Sequence, residues 1–419
     1  MATTANTLNT AQDPWSMPLE DIDVSQPHLY RDDILWDYFA RLRRDAPVHY
    51  CPDSQFGAYW SVSKFHDIME VEKHHEIYSS ESRDGGITIM EDNSIASLPM
   101  FIAMDEPRHG EQRKTVSPIV GADNLAQLRD LILQRTVDTL DSLPASEDFD
   151  WVERVSIPLT TAMLATLFDF PWEDRHLLTH WSDVATTIPG AGVIDSEEER
   201  LQIMQECAEY MTRLWNERLN AEPGNDVLSM LAHSDRTRDM SPEEFLGNMF
   251  LIIVGGNDTT RSSMTGGLYA MSKHPGEYDR LSANPTLLKS AIPEIIRWQT
   301  PLSHMRRKAL RDTELGGQQI KAGDKVIMWY VSGNRDDEVI DNPDAFIVDR
   351  KNARHHLSFG FGIHRCVGNR LAEMQLHILW EEMLKRWPKA GQIEVTGEPR
   401  RVLSNFIKGY ETLPVRINA

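Results

Sequence analysis

The sequence predicts a mainly α-helical fold with a small β region, in a single domain that spans residues 1–419. Stretches with the apolar spacing of helices recur along the chain, and strand-like alternation is confined to a few short runs. No Pro-, Gly- or Ser-rich linker and no fixed-period repeat marks a boundary between two domains. A chain of 419 residues with 41% hydrophobic residues can bury one large core. Residues 1–15 contain no apolar core and are expected to form a flexible N-terminal extension.

The clearest helix begins at Ser241 and is predicted to be long and buried. Ser241 can cap it, Pro242 suits its first position, and Glu244 completes a capping box. The apolar run that starts at Phe245 ends at the Lys-His-Pro-Gly sequence of 273–276, which is a helix stop signal. At ~1.5 Å per residue, such a helix is roughly 45–50 Å long and can cross a whole domain. Its centre is apolar nearly all round, which predicts burial.

The remaining elements are predicted from apolar periodicity and turn signals. Further helices are expected at Ile34–Arg44, Ala126–Ser142, Ile157–Phe168, Glu197–Asn220, Leu287–Trp298 and Arg370–Trp387. Strands are expected at Val48–Tyr50, Ala58–Val62, Thr313–Gln319, Lys325–Tyr330 and in the tail after Val402. These patterns indicate a helical bundle with minor sheets.

The charge and hydropathy patterns exclude several classes of function. Lys and Arg number 43 against 64 Asp and Glu, so the formal net charge is −21. This charge argues against binding to nucleic acid, whose phosphates need a basic face, and against adsorption to an anionic membrane. No stretch has the ~18 consecutive apolar residues of a membrane-spanning helix, and the first 15 residues do not resemble a signal peptide. The sequence therefore predicts a cytoplasmic protein.

A single cysteine carries the strongest chemical signal. Cys51, Cys207 and Cys366 lie far apart, which argues against a disulfide framework and against a metal site built from several cysteines. Cys366 lies in the sequence FGFGIHRCVG of residues 359–368, just before a predicted helix. The glycines allow the backbone to turn tightly and to approach a flat partner, and a helix N-terminus stabilises a thiolate. The alternative is a buried structural cysteine beside a glycine turn, which leaves the other motifs unexplained.

The second motif, GGNDTT at residues 255–260, lies in the middle of the long helix. Each glycine in a helix costs ~1 kcal/mol relative to alanine, so a buried helix that keeps two of them is expected to have a functional reason. The hydroxyl of Thr259 can bond a backbone carbonyl and open the helix locally, which leaves a groove for oxygen and a water. Asp258 can relay protons inward. The alternative is a glycine-rich helix crossing.

These motifs resemble those of the cytochrome P450 family. The pattern FxxGxHxCxG of residues 359–368 resembles the family's haem-binding loop, and residues 255–260 resemble its acid–alcohol pair. The resemblance implies a helical bundle around haem b, with minor antiparallel sheets and with Cys366 as the axial ligand of the iron. A thiolate ligand favours cleavage of the O–O bond. By resemblance, Thr259 would hold the oxygen and Asp258 would supply protons.

The resemblance nominates further residues around the haem. Glu294, Arg297 and Arg350 would form a structural triad that affects folding and haem retention more than chemistry. The same Glu-x-x-Arg spacing occurs at 197–200 and 398–401, where we expect solvated surface pairs. Residues implied to contact the haem or its propionates are His109, Arg113, Arg307, His356, His364, Phe359, Gly255 and Gly368. Singly, each propionate candidate could equally be an ordinary surface residue.

Apolar segments expected above the haem predict an apolar substrate. The nominated substrate contacts are Ile87, Ile89, Leu98, Phe101, Ile102, Leu251, Leu302, Met305 and Phe406. Residues 255–267, 294–307, 329–340 and 408–417 resemble the bacterial alkane hydroxylase subfamily, which implies hydroxylation of medium-chain alkanes, fatty acids or similar molecules at the terminal carbon. The alternatives are a terpene or steroid hydroxylase of the same fold, a peroxide-driven haem-thiolate enzyme, and a haem-based sensor or carrier.

The electrons are expected to come from another protein, because no Gly-rich flavin or nicotinamide motif accompanies the haem-binding pattern. The resemblance implies a chain from NAD(P)H through ferredoxin reductase and a [2Fe–2S] ferredoxin. A small acidic ferredoxin is expected to dock on the cysteine side of the haem, since local charge complementarity governs encounter rates. The cations expected there are Arg108, Arg113, Lys114, Arg365, Arg370, Lys385 and Arg386.

Overall fold

The computed structural model describes residues 13–90 and 98–418, and it confirms a mainly helical fold with small sheets. The α-helices are α1 (Pro27–Arg31), α2 (Leu35–Asp45), α3 (Phe65–Lys73), α4 (Arg108–Val116), α5 (Ala122–Asp141), α6 (Ile157–Phe168), α7 (His176–Thr186), α8 (Glu197–Leu219), α9 (Val227–His233), α10 (Pro242–Lys273), α11 (Pro275–Ala283), α12 (Leu288–Gln299), α13 (Tyr330–Gly333) and α14 (Asn369–Arg386). The strands are β1 (Val48–Cys51), β2 (Tyr59–Val62), β3 (Tyr78–Ser79), β4 (Asp148–Asp150), β5 (Met305–Ala309), β6 (Thr313–Leu315), β7 (Gln318–Ile320), β8 (Lys325–Met328), β9 (Ile393–Val395), β10 (Arg400–Arg401), β11 (Tyr410–Thr412) and β12 (Pro414–Ile417).

The long helix predicted from the sequence is α10. The Ser241 hydroxyl accepts from the N–H of Glu244 at 3.2 Å, and the Glu244 carboxylate accepts from the N–H of Ser241 at 3.3 Å, so the capping box is confirmed. The helix has 32 residues, which corresponds to about 48 Å. Its length lets it cross the domain and contact the cavity described below.

Two apolar clusters meet along α10. In its first half, Phe245, Met249 and Ile253 belong to a cluster that also contains side chains of α6, α7 and α8. In its second half, residues such as Met264 and Leu268 belong to a cluster with side chains of α12 and α14. Between them lie buried polar residues of the GGNDTT motif and the residues that follow it. The centre of α10 is thus buried, as predicted, but it is polar, so the expectation of an apolar centre is wrong.

The largest sheet has five strands in the order β1-β2-β8-β5-β3. Its pairs are antiparallel, as predicted, except that β2 and β8 run parallel, with Trp60 opposite Val326. The predicted strand at 313–319 is a hairpin of two short strands, because Gly316 and Gly317 turn the chain with φ of +54° and +78°. Strand β5 places Met305 and Arg307 two residues apart, so both side chains point to one face of the sheet.

One of the Glu-x-x-Arg repeats differs from the prediction. Arg200 of α8 is only 1% exposed, so the expectation of a solvated surface pair is wrong at this position. Its guanidinium donates to Glu197 and to the carbonyl oxygens of Val184 at 2.7 Å and Thr187 at 2.6 Å. These carbonyl groups end α7 and have no partner within that helix, so Arg200 caps it.

The N-terminal extension falls mostly outside the described residues, which begin at 13. Within the described part, Arg41 donates to the carbonyl oxygens of Pro14 at 3.1 Å and Trp15 at 2.8 Å. The flexible extension therefore stays a prediction for residues 1–12. Among the described residues, no helix is both long enough and apolar enough to cross a bilayer.

Candidate active site

The cysteine loop turns tightly at two glycines. Gly360 and Gly362 both have φ of +67°, a conformation that favours glycine. A Cβ atom on Gly362 would lie 2.5 Å from the carbonyl oxygen of Glu72, so the loop packs directly on the backbone of α3. The N–H of Cys366 donates to the carbonyl oxygen of Phe359 at 2.7 Å and closes the loop. The tight turn predicted from the glycines is therefore present.

The thiol of Cys366 faces a cavity just before α14. The N–H groups of Gly368 and Asn369 and the charges of Arg113 and Arg365 favour the thiolate, as expected at a helix N-terminus. Burial opposes them and raises the pKa of the Cys366 thiol above its ordinary value. The side chain is nevertheless exposed to the cavity, so a metal ion in the cavity can reach the sulfur.

The cavity has a volume of about 310 Å³ and brings the two sequence motifs together. Thr259 and Gly255 of α10 line it, and so do Cys366 and Gly368 of the cysteine loop. A Cβ atom on Gly255 would meet nothing within 4 Å, so this part of α10 borders open space. Most other lining side chains are apolar. The arrangement is a cavity with a sulfur ligand and a hydroxyl group in an apolar wall.

Seven of the nine nominated substrate contacts line this cavity. They are Ile87, Phe101, Ile102, Leu251, Leu302, Met305 and Phe406. Ile89 is fully buried in the N-terminal apolar cluster with Trp329, so its nomination is wrong. Leu98 is not among the described cavity-lining residues either, because it packs on α10, where its Cβ lies 3.3 Å from the Cβ position of Gly247.

The sequence did not nominate the wall that α6 and α7 contribute. Met163, Leu164 and Leu167 of α6 and Ala185 and Thr186 of α7 line the cavity. The sequence shows that α6 is apolar on nearly all faces. This pattern predicts that α6 is buried, but it does not predict what each buried face contacts. Periodicity does not tell which buried face borders a cavity.

The Thr259 hydroxyl bonds a backbone carbonyl, as predicted, but α10 is a continuous helix through this position, so the predicted local opening is not observed. The hydroxyl donates to the carbonyl oxygen of Gly255 at 2.8 Å, while the carbonyl oxygen of Thr259 accepts from the Ser263 hydroxyl at 2.8 Å. The side-chain oxygen therefore bonds the backbone of α10 one turn earlier and stays on the cavity wall. A hydroxyl in this position can donate a hydrogen bond to, or accept one from, a small polar ligand in the cavity.

Asp258 is not among the described residues that line the cavity. Its fully buried carboxylate pairs with Arg261 at 2.7 Å, and Arg261 also pairs with Asp183 at 2.7 Å. Its other oxygen accepts from the Thr186 hydroxyl at 3.2 Å, and Thr186 does line the cavity. Burial, opposed by the charge of Arg261, raises the pKa of Asp258 to about 6. This carboxyl group can exchange a proton near neutral pH, and Thr186 lies between it and the cavity.

Three of the five nominated propionate ligands line the cavity. These are Arg113, Arg307 and His364. His109 instead places its ring nitrogens 2.6 Å from the Phe101 carbonyl oxygen and 3.0 Å from the Ile363 carbonyl oxygen.

His356 is likewise absent from the described cavity wall, although Phe359 three residues later lines it. Its Nδ1 accepts from the N–H of Ser358 at 3.2 Å. Burial and neighbouring arginines lower the pKa of His356 to about 3, so the ring is neutral at physiological pH. Neither His356 nor His109 is among the described residues that line the cavity.

The wall of the cavity fits a haem with its carboxylates near the cysteine loop. His364 is buried, its Nε2 lies 3.0 Å from the Ser80 hydroxyl, and its Nδ1 has no hydrogen-bond partner among the described residues. A buried polar atom without a partner is costly, and a carboxylate in the cavity would provide one. Arg113 and Arg307 supply positive charges beside the same cavity. Cys366 supplies a soft sulfur ligand of the type that iron accepts in haem-thiolate proteins.

Glu294, Arg297 and Arg350 lie together in the core. Glu294 accepts from Arg297 at 2.7 and 2.8 Å and from Arg350 at 2.8 Å. Arg297 also donates to the carbonyl oxygens of Asn334 at 2.9 Å and Pro343 at 2.7 Å. The triad thus joins α12 to the segment that precedes the cysteine loop, and its role in folding and haem retention stays a prediction.

Comparisons with known proteins agree with this site. The profile of the family described as Cytochrome P450 matches residues 194–390. The chain is 35% identical to linalool 8-monooxygenase of Pseudomonas putida, over 95% of this chain and 99% of that protein. It is 30% identical to the methyl-branched lipid omega-hydroxylase of Mycobacterium bovis, over 96% of each protein. The solved structure of cytochrome P450-153 from Novosphingobium aromaticivorans has 47% identity and a TM-score of 0.88, over 97% of this chain and 100% of that chain.

The identity, the coverage and the shared fold lead to one assignment. They agree with the cysteine loop, the cavity above it and the hydroxyl of Thr259 in the cavity wall. The chain belongs to the cytochrome P450 family and is a P450 monooxygenase, an oxidoreductase of a family that carries haem iron.

Proposed function

We propose that this monooxygenase hydroxylates medium-chain alkanes, fatty acids or similar hydrophobic molecules, preferentially at the terminal carbon, with O2 and two electrons from a ferredoxin. The observation that carries the proposal is the cavity of about 310 Å³, which is largely apolar and has Cys366 and Thr259 in its wall. An apolar cavity selects an apolar ligand, and the few polar groups orient it. The omega-hydroxylase named among the relatives supports attack at a chain end.

The residues that would hold the haem are those of the cavity wall near the cysteine loop. Cys366 Sγ would bind the iron, and Arg113, Arg307 and the unpartnered Nδ1 of His364 would bind the carboxylates. Haem iron with a thiolate ligand supplies the activation of dioxygen. A positively charged iron at the sulfur also offsets the burial that otherwise favours the neutral thiol.

Protons would reach the cavity through the side chains of Asp258 and Thr186. With a pKa of about 6, the Asp258 carboxyl group can take a proton from the Asp183 side, which is partly exposed, and release it toward the cavity. Thr186 Oγ1 lies 3.2 Å from Asp258 Oδ2 and can pass the proton onward by reorienting its hydroxyl. The Thr259 hydroxyl would then hold a proton at the cavity wall, where the reaction consumes it.

Terminal selectivity would come from positioning. A methyl C–H bond is stronger than a methylene C–H bond, so a hydrocarbon free to rotate reacts mainly at internal carbons. Apolar side chains on several sides of the cavity, including Phe101, Leu251 and Met305, restrict how a chain can lie. Holding the chain end nearest to Thr259 lowers the barrier there through orientation.

The ferredoxin would dock beside the cysteine loop, on a smaller set of cations than the sequence suggests. Arg108 pairs with Glu244, Lys385 pairs with Glu382 at 2.7 Å and Arg386 pairs with Asp141 at 2.8 Å, so these three charges are compensated. Of the seven cations predicted for this surface, the exposed ones with no ion pair among the described residues are Lys114, Arg365 and Arg370. We expect Arg365→Gln to slow reduction by ferredoxin and to weaken its dependence on salt. Reduction that is insensitive to ionic strength in the wild type would contradict this surface.

The test of the proposal is a substrate screen followed by product analysis. Alkanes, fatty acids and monoterpenes are titrated into the ferric enzyme, and the change in spin state is recorded. Products are then identified after turnover with ferredoxin, ferredoxin reductase and NAD(P)H. Primary alcohols from linear chains are the expected result, and a mixture dominated by internal alcohols would contradict terminal hydroxylation. A Cys366→Ser variant should lose the red-shifted ferrous–carbonyl spectrum. In the wild-type enzyme, turnover with peroxide alone at the same rate as with the electron-transfer proteins would favour a peroxide-driven enzyme.

A second candidate is hydroxylation of a terpene, which the linalool 8-monooxygenase among the relatives favours. The same screen separates the two candidates. A larger spin-state change and faster turnover with monoterpenes than with linear alkanes of equal carbon number would favour the terpene.

A further inference from the structure

Glu72 is a buried carboxylate beside the cavity that the sequence patterns do not single out. It lies near the end of α3 and is only 2% exposed. Arg307 Nη2 donates to Glu72 Oε2 at 2.9 Å, and the Tyr330 hydroxyl donates to Glu72 Oε1. Both partners line the cavity. Arg307, which was nominated to bind a haem propionate, therefore already forms a buried ion pair with Glu72.

Arg307 keeps donors that this ion pair does not use. Its Nη1 donates to the carbonyl oxygen of Arg306 at 2.7 Å, and its Nη2 donates to Glu72. A guanidinium has five N–H donors, so Arg307 can hold a carboxylate on its cavity side and stay paired with Glu72. Glu72 thus fixes the orientation of the guanidinium and offsets its positive charge.

Glu72 also contacts the cysteine loop. A Cβ atom on Gly362 would lie 2.5 Å from its carbonyl oxygen, and one on Gly360 would lie 3.4 Å from its Oε1 and 3.4 Å from the Tyr330 hydroxyl. The Glu72 carboxylate therefore lies close to the turn of the loop that carries Cys366. Because this side chain is only 2% exposed, solvent screens its charge less than it screens a surface carboxylate.

We propose that Glu72 is a positioning residue that orients Arg307 toward the haem carboxylates and, through its buried charge, lowers the reduction potential of the iron. The proposal rests on the proposed contact of Arg307 with the haem. Reduction adds one electron and turns ferric into ferrous iron, which carries one positive charge fewer. A nearby anion stabilises the more positive ferric form, so removing this anion favours reduction.

The experiment is a spectroelectrochemical titration of substrate-free holoenzyme variants. Glu72→Gln removes the charge and keeps the volume and an oxygen acceptor for Arg307. We expect a higher midpoint potential, with on the order of tenfold more reduced haem at a fixed applied potential. Glu72→Asp keeps the charge and should restore the wild-type midpoint. Glu70→Gln removes a charge from the same helix where the side chain is 50% exposed, and it should leave the midpoint unchanged because solvent screens it.

Two results would overturn the proposal: an unchanged midpoint in Glu72→Gln, or an equal shift in Glu70→Gln. Should Glu72→Gln fail to fold, Tyr330→Phe is the second variant. This variant removes the hydroxyl that donates to the Glu72 carboxylate, so less of the negative charge is offset by hydrogen bonding. The haem iron then meets a stronger negative field, and the midpoint potential should fall. A midpoint that is unchanged or higher in Tyr330→Phe also contradicts the proposal.

A separate measurement tests the contact on which the proposal rests. Arg307→Gln should release haem to excess apomyoglobin faster than the wild type, because the carboxylates lose a cation. Release at the wild-type rate would refute the contact between Arg307 and the haem. Faster release together with a wild-type midpoint in Glu72→Gln would refute only the role of Glu72.

Discussion

Replacing Asp258 by Asn should remove the pH dependence of the proton-consuming step. In the folded protein, burial raises the pKa of Asp258 to about 6. A carboxyl group with this pKa is about 90% protonated at pH 5 and about 9% protonated at pH 7. Where the acid form limits the rate, the wild-type rate should therefore fall on the order of tenfold between these two pH values. Asn cannot release a proton, so the rate of Asp258→Asn should be lower at pH 5, by on the order of 100-fold, and nearly flat with pH.

The assay is single-turnover product formation in pre-reduced enzyme mixed with oxygen and saturating hydrocarbon, so that electron supply does not limit the rate. Asp183→Asn is the matched variant. The charge of Asp183 contributes to the raised pKa of Asp258, so its removal should lower that pKa and shift the profile to lower pH without flattening it. If Asp258→Asn keeps a pH profile with a midpoint near that of the wild type, another group supplies the protons and the reasoning fails.

Three further perturbations follow from the described contacts. Glu294→Ala leaves two buried guanidinium groups without their carboxylate and should lower the free energy of unfolding by about 3–5 kcal/mol in denaturant titrations of the apoprotein. The control Glu398→Ala, at a side chain that is 72% exposed, should change the same free energy by less than about 0.5 kcal/mol. Gly247→Ala places a Cβ atom 2.2 Å from the carbonyl oxygen of Pro99, so it should displace this segment and weaken substrate binding about tenfold or more at unchanged haem content. Phe101→Ala enlarges the cavity and should shift products from terminal to internal alcohols in gas chromatography; an unchanged product ratio would show that Phe101 does not position the chain end.

The sequence predicted the elements whose signals are local. The capping box of Ser241 and Glu244 gave the start of α10, because the side chains that form it are three residues apart. The glycines of the cysteine loop predicted a tight turn, because their positive φ values are a property of the backbone itself. The predicted strands Val48–Tyr50 and Ala58–Val62 end within one residue of β1 and β2, because alternation is also a local pattern. The parallel pairing of β2 with β8 depends on distant residues and was not predicted.

The residues that sequence reasoning missed are defined by contacts between distant segments. Glu72 lies 235 positions from Arg307, and only the packing of α3 on the cysteine loop brings them together. Thr186 contacts Asp258 and also lines the cavity because α7 crosses α10. The apolar periodicity of each helix does not predict which helices cross. Ile89 was nominated as part of an apolar segment expected above the haem, yet its side chain packs into the N-terminal cluster.

The division of α10 between two apolar clusters affects how the protein unfolds. Neither cluster can open without freeing apolar side chains of the same helix, so the two halves of the domain are expected to unfold as one cooperative unit. Amide hydrogens on both sides of residues 255–260 should then exchange with solvent at similar slow rates, set by global unfolding.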